Sequence, residues 1–280
     1  MLALIGDLTQ TRTVPTMTDP PPDIALRVGA LGVSFRGVRA LQDVSFSIPA
    51  GGVSAVIGPN GAGKTTLLNC ISGVVRHEGA VELEGRDLSR LRADRRAALG
   101  VARTFQTPLL VPDLTALDNV LLGAHPKMRG GLIGSMLRLP AMRSDETSMR
   151  ARAAELLSRL GLARADVRPV GSLAHGDRRR VEVARALLAE PRLLLLDEPA
   201  AGLGADEASE LLDDIEEFAA AIEMTCVLVE HDVGLVMRVS RHVVVLDAGR
   251  LLVAGPPAEI AADPQVVAAY LGDDWAEVET

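Results

Sequence analysis

The chain has 280 residues, enough to bury a sizeable core in one large domain or two small ones. Hydrophobic residues make up 48% of it and aromatic ones only 2%, so its core must be packed from Leu, Val, Ile and Ala. A net charge of −8 argues against nucleic acid as the main partner, and the run Arg178-Arg179-Arg180 is too short to reverse that balance.

Residues 1–23 are rich in Thr, Pro and Asp and end in Pro20-Pro21-Pro22, the composition of a disordered leader, with Met17 as an alternative start. The short alternating segments 25–28, 44–48 and 80–84 predict an antiparallel sheet. Between the second and third, Val53-Ser54-Ala55-Val56-Ile57 reads as a buried strand. It runs into Gly58-Pro59-Asn60-Gly61-Ala62-Gly63-Lys64-Thr65-Thr66, and Leu67, Leu68 and Ile71 then suit a helix packed on a sheet. This strand–loop–helix order is the setting in which a glycine-rich loop cradles a polyphosphate. Three glycines let the backbone wrap closely where a Cβ would obstruct it, and the helix start adds its positive dipole end. Lys64 is placed to reach the β- and γ-phosphates of a nucleoside triphosphate, and the Thr65 hydroxyl to ligate Mg²⁺.

From about residue 113 to 188 the pattern turns helical, over 114–123, 148–160 and 179–188, with a loose Gly- and Pro-containing stretch at 126–140. This predicts a helical subdomain inserted into an α/β core. The three arginines at 178–180 read as a solvated or locally paired face of its last helix. Strand signals return at 192–196, 225–229 and 242–246, with a helix over 205–222 and a Pro-broken helical tail beyond Gly255. Leu193-Leu194-Leu195-Leu196-Asp197-Glu198-Pro199 closes a doubly buried strand with two acids, which packing does not explain. Beside a phosphate loop, Asp197 reads as the residue that holds Mg²⁺ through water, and Glu198 as the one that polarises an attacking water. Cys70 and Cys226 sit in apolar runs without zinc-ligand spacing, as buried free thiols of a reducing compartment do. No apolar run approaches the length of a membrane span, and no secretory signal opens the chain, so membrane association must come through a partner.

Directly before the acidic strand lies Leu173-Ala174-His175-Gly176-Asp177, followed by Arg178-Arg179-Arg180-Val181-Glu182-Val183-Ala184-Arg185-Ala186-Leu187. This resembles the signature loop and helix of ATP-binding-cassette (ABC) ATPases, usually written LSGGQ and QRVxxARAL; the loop matches at its first and fourth positions and the helix matches well. His231, in Leu228-Val229-Glu230-His231-Asp232, resembles the switch histidine that contacts the γ-phosphate. Gln106, in Ala102-Arg103-Thr104-Phe105-Gln106, resembles the glutamine that completes the Mg²⁺ shell and senses the permease. Phe35 resembles the aromatic that stacks on adenine, although a core position fits it equally.

The resemblance runs from Ile24 to Gly272 and is closer to the ATP-binding subunits of branched-chain amino-acid importers, the LivG type, than to ABC proteins at large. It rests on the segments around Gln106, His175 and His231, on Asp197-Glu198-Pro199-Ala200-Ala201-Gly202-Leu203 and on the tail Ala268-Ala269-Tyr270-Leu271-Gly272. It implies a P-loop NTPase α/β fold with a RecA-like core, an antiparallel β subdomain and the helical subdomain. The cassette would span 24–258 and a tail of the branched-chain type 259–280. It further implies ATP and Mg²⁺ as ligands and a second cassette, the same or a paralogue, closing head to tail so that Leu173, Ala174, His175, Gly176 and Asp177 of one chain meet the ATP of the other. A membrane permease, and through it a solute-binding protein, would complete the complex on the cytoplasmic face of the inner membrane. Relatives with this pattern also import urea, short amides and other small polar solutes. Ala174 departs from the signature serine, and Gly204 stands where many ABC proteins carry aspartate. A soluble non-transport ABC ATPase, and a weakly catalytic regulatory cassette, are the alternatives. The single acidic cassette speaks against the first, and Glu198 with His231 against the second.

Overall fold

The computed structural model describes residues 24–105, 109–127, 140–163 and 167–270; the leader 1–23, Gln106 and the end of the tail lie outside them. Four leucines in a row at 193–196 form strand β7 (Leu193–Asp197), and they alternate between two cores. Leu194 and Leu196 join one cluster and Leu193 and Leu195 the other. Strands β3 (Gly52–Ile57), β8 (Thr225–Val229) and β9 (His242–Asp247) divide their side chains in the same way, which is why their sequences are mostly apolar on both faces. With β6 (Val101–Arg103) they make five parallel strands, and β10 (Arg250–Gly255) pairs antiparallel at one edge, giving the order β10-β9-β3-β8-β7-β6.

One face of this sheet packs against α5 (His175–Leu188), α6 (Ala205–Ala221) and α7 (Val233–Val239), with α3 (Ala116–Leu121) and α4 (Pro140–Arg159) beyond them. The other face packs against α1 (Lys64–Ile71) and a separate antiparallel sheet of order β2-β1-β4-β5. In that second sheet β1 (Ile24–Phe35) and β2 (Val38–Pro49) run 12 residues each, well beyond the predicted segments. Register shifts along the pair break the alternation that a sequence pattern reads. Their two-residue turn, Arg36-Gly37, has φ of 47° and 88°, the left-handed pair a tight hairpin requires. Strands β4 (Glu78–Leu83) and β5 (Arg86–Asp87) complete it.

Helix α2 (Ala93–Ala98) and β6 were not anticipated; each is too short to show a period. Helix α4 begins at Pro140, the last residue of the stretch read as loose and ahead of the helix expected over 148–160; proline suits a first helical position. The helices α8 (Pro257–Ala261) and α9 (Pro264–Tyr270) make up the described part of the tail. Cys70 and Cys226 are free and buried, as expected, and burial pushes both thiols up to about 12.

Of the two readings of the three arginines, the structure has local pairing: Arg179 is buried and paired with Glu182 at 3.1 Å, and Arg180 pairs with Glu210 at 3.1 Å. A second buried cation, Arg96 on α2, ties down the end of α1. Its guanidinium donates from Nη1 to the Cys70 and Ile71 carbonyls (2.6 and 2.8 Å) and from Nε to the Leu91 carbonyl (2.9 Å). The Ile71 carbonyl belongs to the open end of the helix, while the Cys70 carbonyl also accepts from the N–H of Gly73, a left-handed capping glycine with φ of 78°. Arg96→Ala removes these charge-assisted bonds and takes the guanidinium from the Ile71 carbonyl, and it should lower stability by about 3 kcal/mol in urea unfolding.

Candidate active site

Because β3, β8 and β7 are parallel and in register, with Val56 opposite Val229 and Val229 opposite Asp197, whatever follows each strand emerges at the same edge. There the phosphate loop, the two acids and His231 meet. A groove of about 230 Å³ is lined by the loop residues 60–66 together with Ala40, Glu198 and His231. Larger clefts of about 710 and 500 Å³ elsewhere contain none of these residues, so chemistry rather than size marks the site.

Gly58 is compelled by crowding: with φ of 151°, a Cβ would lie 2.1 Å from the Leu246 carbonyl oxygen. Gly61 is compelled by handedness alone. Its φ is 81° and nothing lies within 4 Å of the Cβ position, so the expected obstruction there comes from no part of the protein. Lys64 opens α1 and folds back over the loop, its Nζ donating to the Gly58 carbonyl at 2.6 Å and the Pro59 carbonyl at 3.2 Å. Burial lowers its pKa from the ordinary lysine value, and the Glu198 and Asp197 carboxylates oppose that shift.

The Thr65 hydroxyl donates to Asp197 Oδ1 at 3.4 Å, and Asp197 Oδ2 accepts from Arg103 Nη2 at 3.0 Å. A hydroxyl and a carboxylate facing each other are hard oxygen donors. They fit Mg²⁺, which takes one or two protein oxygens and leaves the rest of its shell to phosphate and water. Glu198 sits in the left-handed region at φ 51°, a conformation that costs a non-glycine residue about 1 kcal/mol or more. The turn aims its carboxylate at His231, whose Nε2 lies 2.7 Å from the accepting Oε1.

Glu230 was missed. It is buried, and its carboxylate accepts from the Ala200 N–H (2.7 Å) and the His231 N–H (3.3 Å), tying the histidine to the loop that follows the acids. Burial raises its pKa and the two N–H groups work the other way. The argument applied to Asp197 and Glu198, an acid closing an apolar strand, would have found it.

The structure does not bring every expected residue to this groove. Phe35 is exposed at the β1–β2 hairpin, and Ala40 is the residue of that hairpin in the groove lining. The loop Leu173, Ala174, His175, Gly176 and Asp177 is also absent from the lining. It rests instead on the loop after the acids of its own chain: a Cβ on Gly202 would lie 3.3 Å from the His175 ring, and one on Gly176 3.2 Å from Leu203. Ala174 is the N-cap of α5, in extended conformation and without a side-chain cap. Ala174→Ser would supply the missing acceptor and should raise the stability of the nucleotide-free chain by about 1 kcal/mol, read from the urea midpoint.

The chain matches the family described as ABC transporter over residues 41–201, and the branched-chain amino acid ATP-binding cassette transporter family over 250–276. It is 39% identical over 249 residues to the high-affinity branched-chain amino acid transport ATP-binding protein LivG of Salmonella typhimurium, covering 89% of this chain and 98% of that protein. Its fold is similar to a nucleotide-free ATP-binding cassette from an ABC transporter, with 30% identity and a TM-score of 0.77 over 89% of this chain and all of that one. It is also similar to a dimeric post-hydrolysis cassette bound to ADP and Pi, with 25% identity and a TM-score of 0.71 over 83% of this chain and 98% of that one. A phosphate loop, an acidic strand end and a histidine gathered at one edge of this fold agree with those likenesses: the chain belongs to the ATP-binding cassettes of ABC transporters.

Proposed function

We propose that this cassette drives the uptake of branched-chain amino acids or a related small polar solute, with Glu198 as the general base of ATP hydrolysis. The observation that carries the site assignment is the convergence of Lys64, Thr65, Glu198 and His231, with Asp197 behind Thr65, on a groove that the signature loop of the same chain does not line. Two cassettes closing head to tail supply what is missing: Leu173, Ala174, His175, Gly176 and Asp177 of each meet the γ-phosphate held by the other. The transported solute is inferred from the relatives' names.

In the closed dimer the N–H groups of residues 60–66 and the ammonium of Lys64 surround the β- and γ-phosphates. Lys64 exchanges the Gly58 and Pro59 carbonyls for phosphate oxygens. Thr65 and Asp197 would hold Mg²⁺, which when bound neutralises phosphate charge, and Gln106 would be a further residue to hold it. Water attacks in line with the leaving oxygen, Glu198 takes its proton, and His231 fixes the Glu198 carboxylate while facing the γ-phosphate. Phe35 stacks on the adenine. Exposed Leu109, Val111 and Leu122, close in sequence to Gln106 and at the start of the helical region, give a permease segment an apolar seat. Among the described residues no helix is long and apolar enough to cross a membrane, so attachment to the cytoplasmic face of the inner membrane runs through that permease, which receives solute from a binding protein.

Glu198→Gln should retain ATP binding and lose about 10²–10⁴-fold in hydrolysis rate, since the amide cannot accept the water's proton. Lys64→Ala should instead lose nucleotide affinity. Phosphate release and nucleotide binding, each with and without the permease, separate the two effects, and a wild-type rate in Glu198→Gln removes the base assignment. Reconstitution with the permease and labelled leucine or urea tests the solute.

A further inference from the structure

Asp197 presents its two oxygens to different partners: Oδ1 faces Thr65, and Oδ2 accepts from Arg103. Arg103 ends the three-residue edge strand β6, a poor place to fix a long side chain, yet it is held at several points. Its Nη1 donates to Asn69 Oδ1 (2.8 Å) and Ser72 Oγ (3.0 Å), at the far end of the helix that begins with Lys64 and Thr65. Its guanidinium lies 5.1 Å from the Phe105 ring centroid. Phe105 in turn is gripped by its backbone: the N–H donates to Glu182 Oε1 (3.2 Å) and the carbonyl accepts from Arg179 Nη1 (2.9 Å). Arg103 and Asp197 are only 6% and 2% exposed, so their pairing is little screened by solvent.

We propose that Arg103 is a positioning residue for the metal end of the site: by holding Asp197 Oδ2 and α1 together, it keeps Oδ1 turned toward Thr65. A planar fork can hold a carboxylate on one nitrogen and a second element on the other, whereas an ammonium is a point charge without a fixed plane. The buried Arg179–Glu182 pair fixes the backbone that follows Arg103 and so keeps the fork in place. The inference rests on the reading of Thr65 and Asp197 as the Mg²⁺-holding pair.

The test uses the full chain and a non-hydrolysable ATP analogue, with dissociation constants measured in EDTA and in excess Mg²⁺. Their ratio reports how strongly the protein couples nucleotide to metal. Arg103→Lys should cut that ratio about tenfold, the loss of roughly one charge-assisted bond, while the EDTA constant stays within about twofold. Arg103→Gln should cut it at least as far. An arginine with a merely structural role would lower the melting temperature and leave the ratio unchanged, which overturns the proposal. Thr65→Ala separates the two assignments. If it too leaves the ratio unchanged, the metal assignment fails and the inference falls with it. If it lowers the ratio and the Arg103 variants do not, only the positioning role falls. Should the Arg103 variants not fold, Asn69→Ala removes one anchor and spares the ion pair; it should lower the ratio about threefold, a partial loss of one hydrogen bond, and an unchanged ratio overturns the proposal.

Discussion

Everything at the site depends on one constraint: β3, β7 and β8 run parallel, in register and buried on both faces. A parallel sheet sends the C-terminal ends of its strands to a single edge, so three segments far apart in sequence deliver their polar residues to one place. The same burial makes those strand ends the only positions where Asp197, Glu198 and Glu230 can carry charge without leaving it isolated in hydrocarbon. Each finds a partner there: Asp197 has Thr65 and Arg103, Glu198 has His231, and Glu230 has two backbone N–H groups.

A core poor in aromatics has another consequence. The joints between elements are closed by buried arginines: Arg96 caps α1, Arg103 joins β7 to α1, and Arg179 holds the backbone after β6. A guanidinium has five donors and a long apolar stem, so it can satisfy several carbonyls or a carboxylate while filling the volume an aromatic would occupy. Burying it is costly without those partners, and in this chain burial lowers the pKa of both Arg96 and Arg103 while nearby acids oppose the shift. Such joints are directional in a way that aliphatic packing is not, which suits a site whose oxygens must face given ways.

The signature loop belongs mechanically to the loop after the acids, since the His175 ring packs on Gly202 and Gly176 on Leu203. Glu230 ties that loop to His231 in turn, through the Ala200 N–H. The surface that would meet a second cassette and the groove that would hold ATP are therefore joined by short contacts within one chain. Glycine at 202, with φ of 78°, meets the left-handed turn, and at both 202 and 176 a Cβ would be in tight contact with the His175 ring or the Leu203 side chain.

The sequence by itself determined the elements with a strong local signature. The apolar strands 53–57 and 193–196 were legible because burial on both faces needs small or apolar residues at successive positions, and the phosphate loop because left-handed turns need glycine. Asp197 and Glu198 were legible because acids do not close buried strands for packing reasons. Tertiary structure alone decided how the pieces meet. The three-residue strand β6 has no period to read, and β1 and β2 hid most of their length behind register shifts. Arg179 looked like part of a basic helix face because helical spacing gives no sign that Phe105 lies against it. Arg103 gave none either: a three-residue edge strand says nothing about which buried carboxylate its side chain will reach. Local pattern reports which face of an element is apolar, and only the crossing of distant segments sets which polar group meets which.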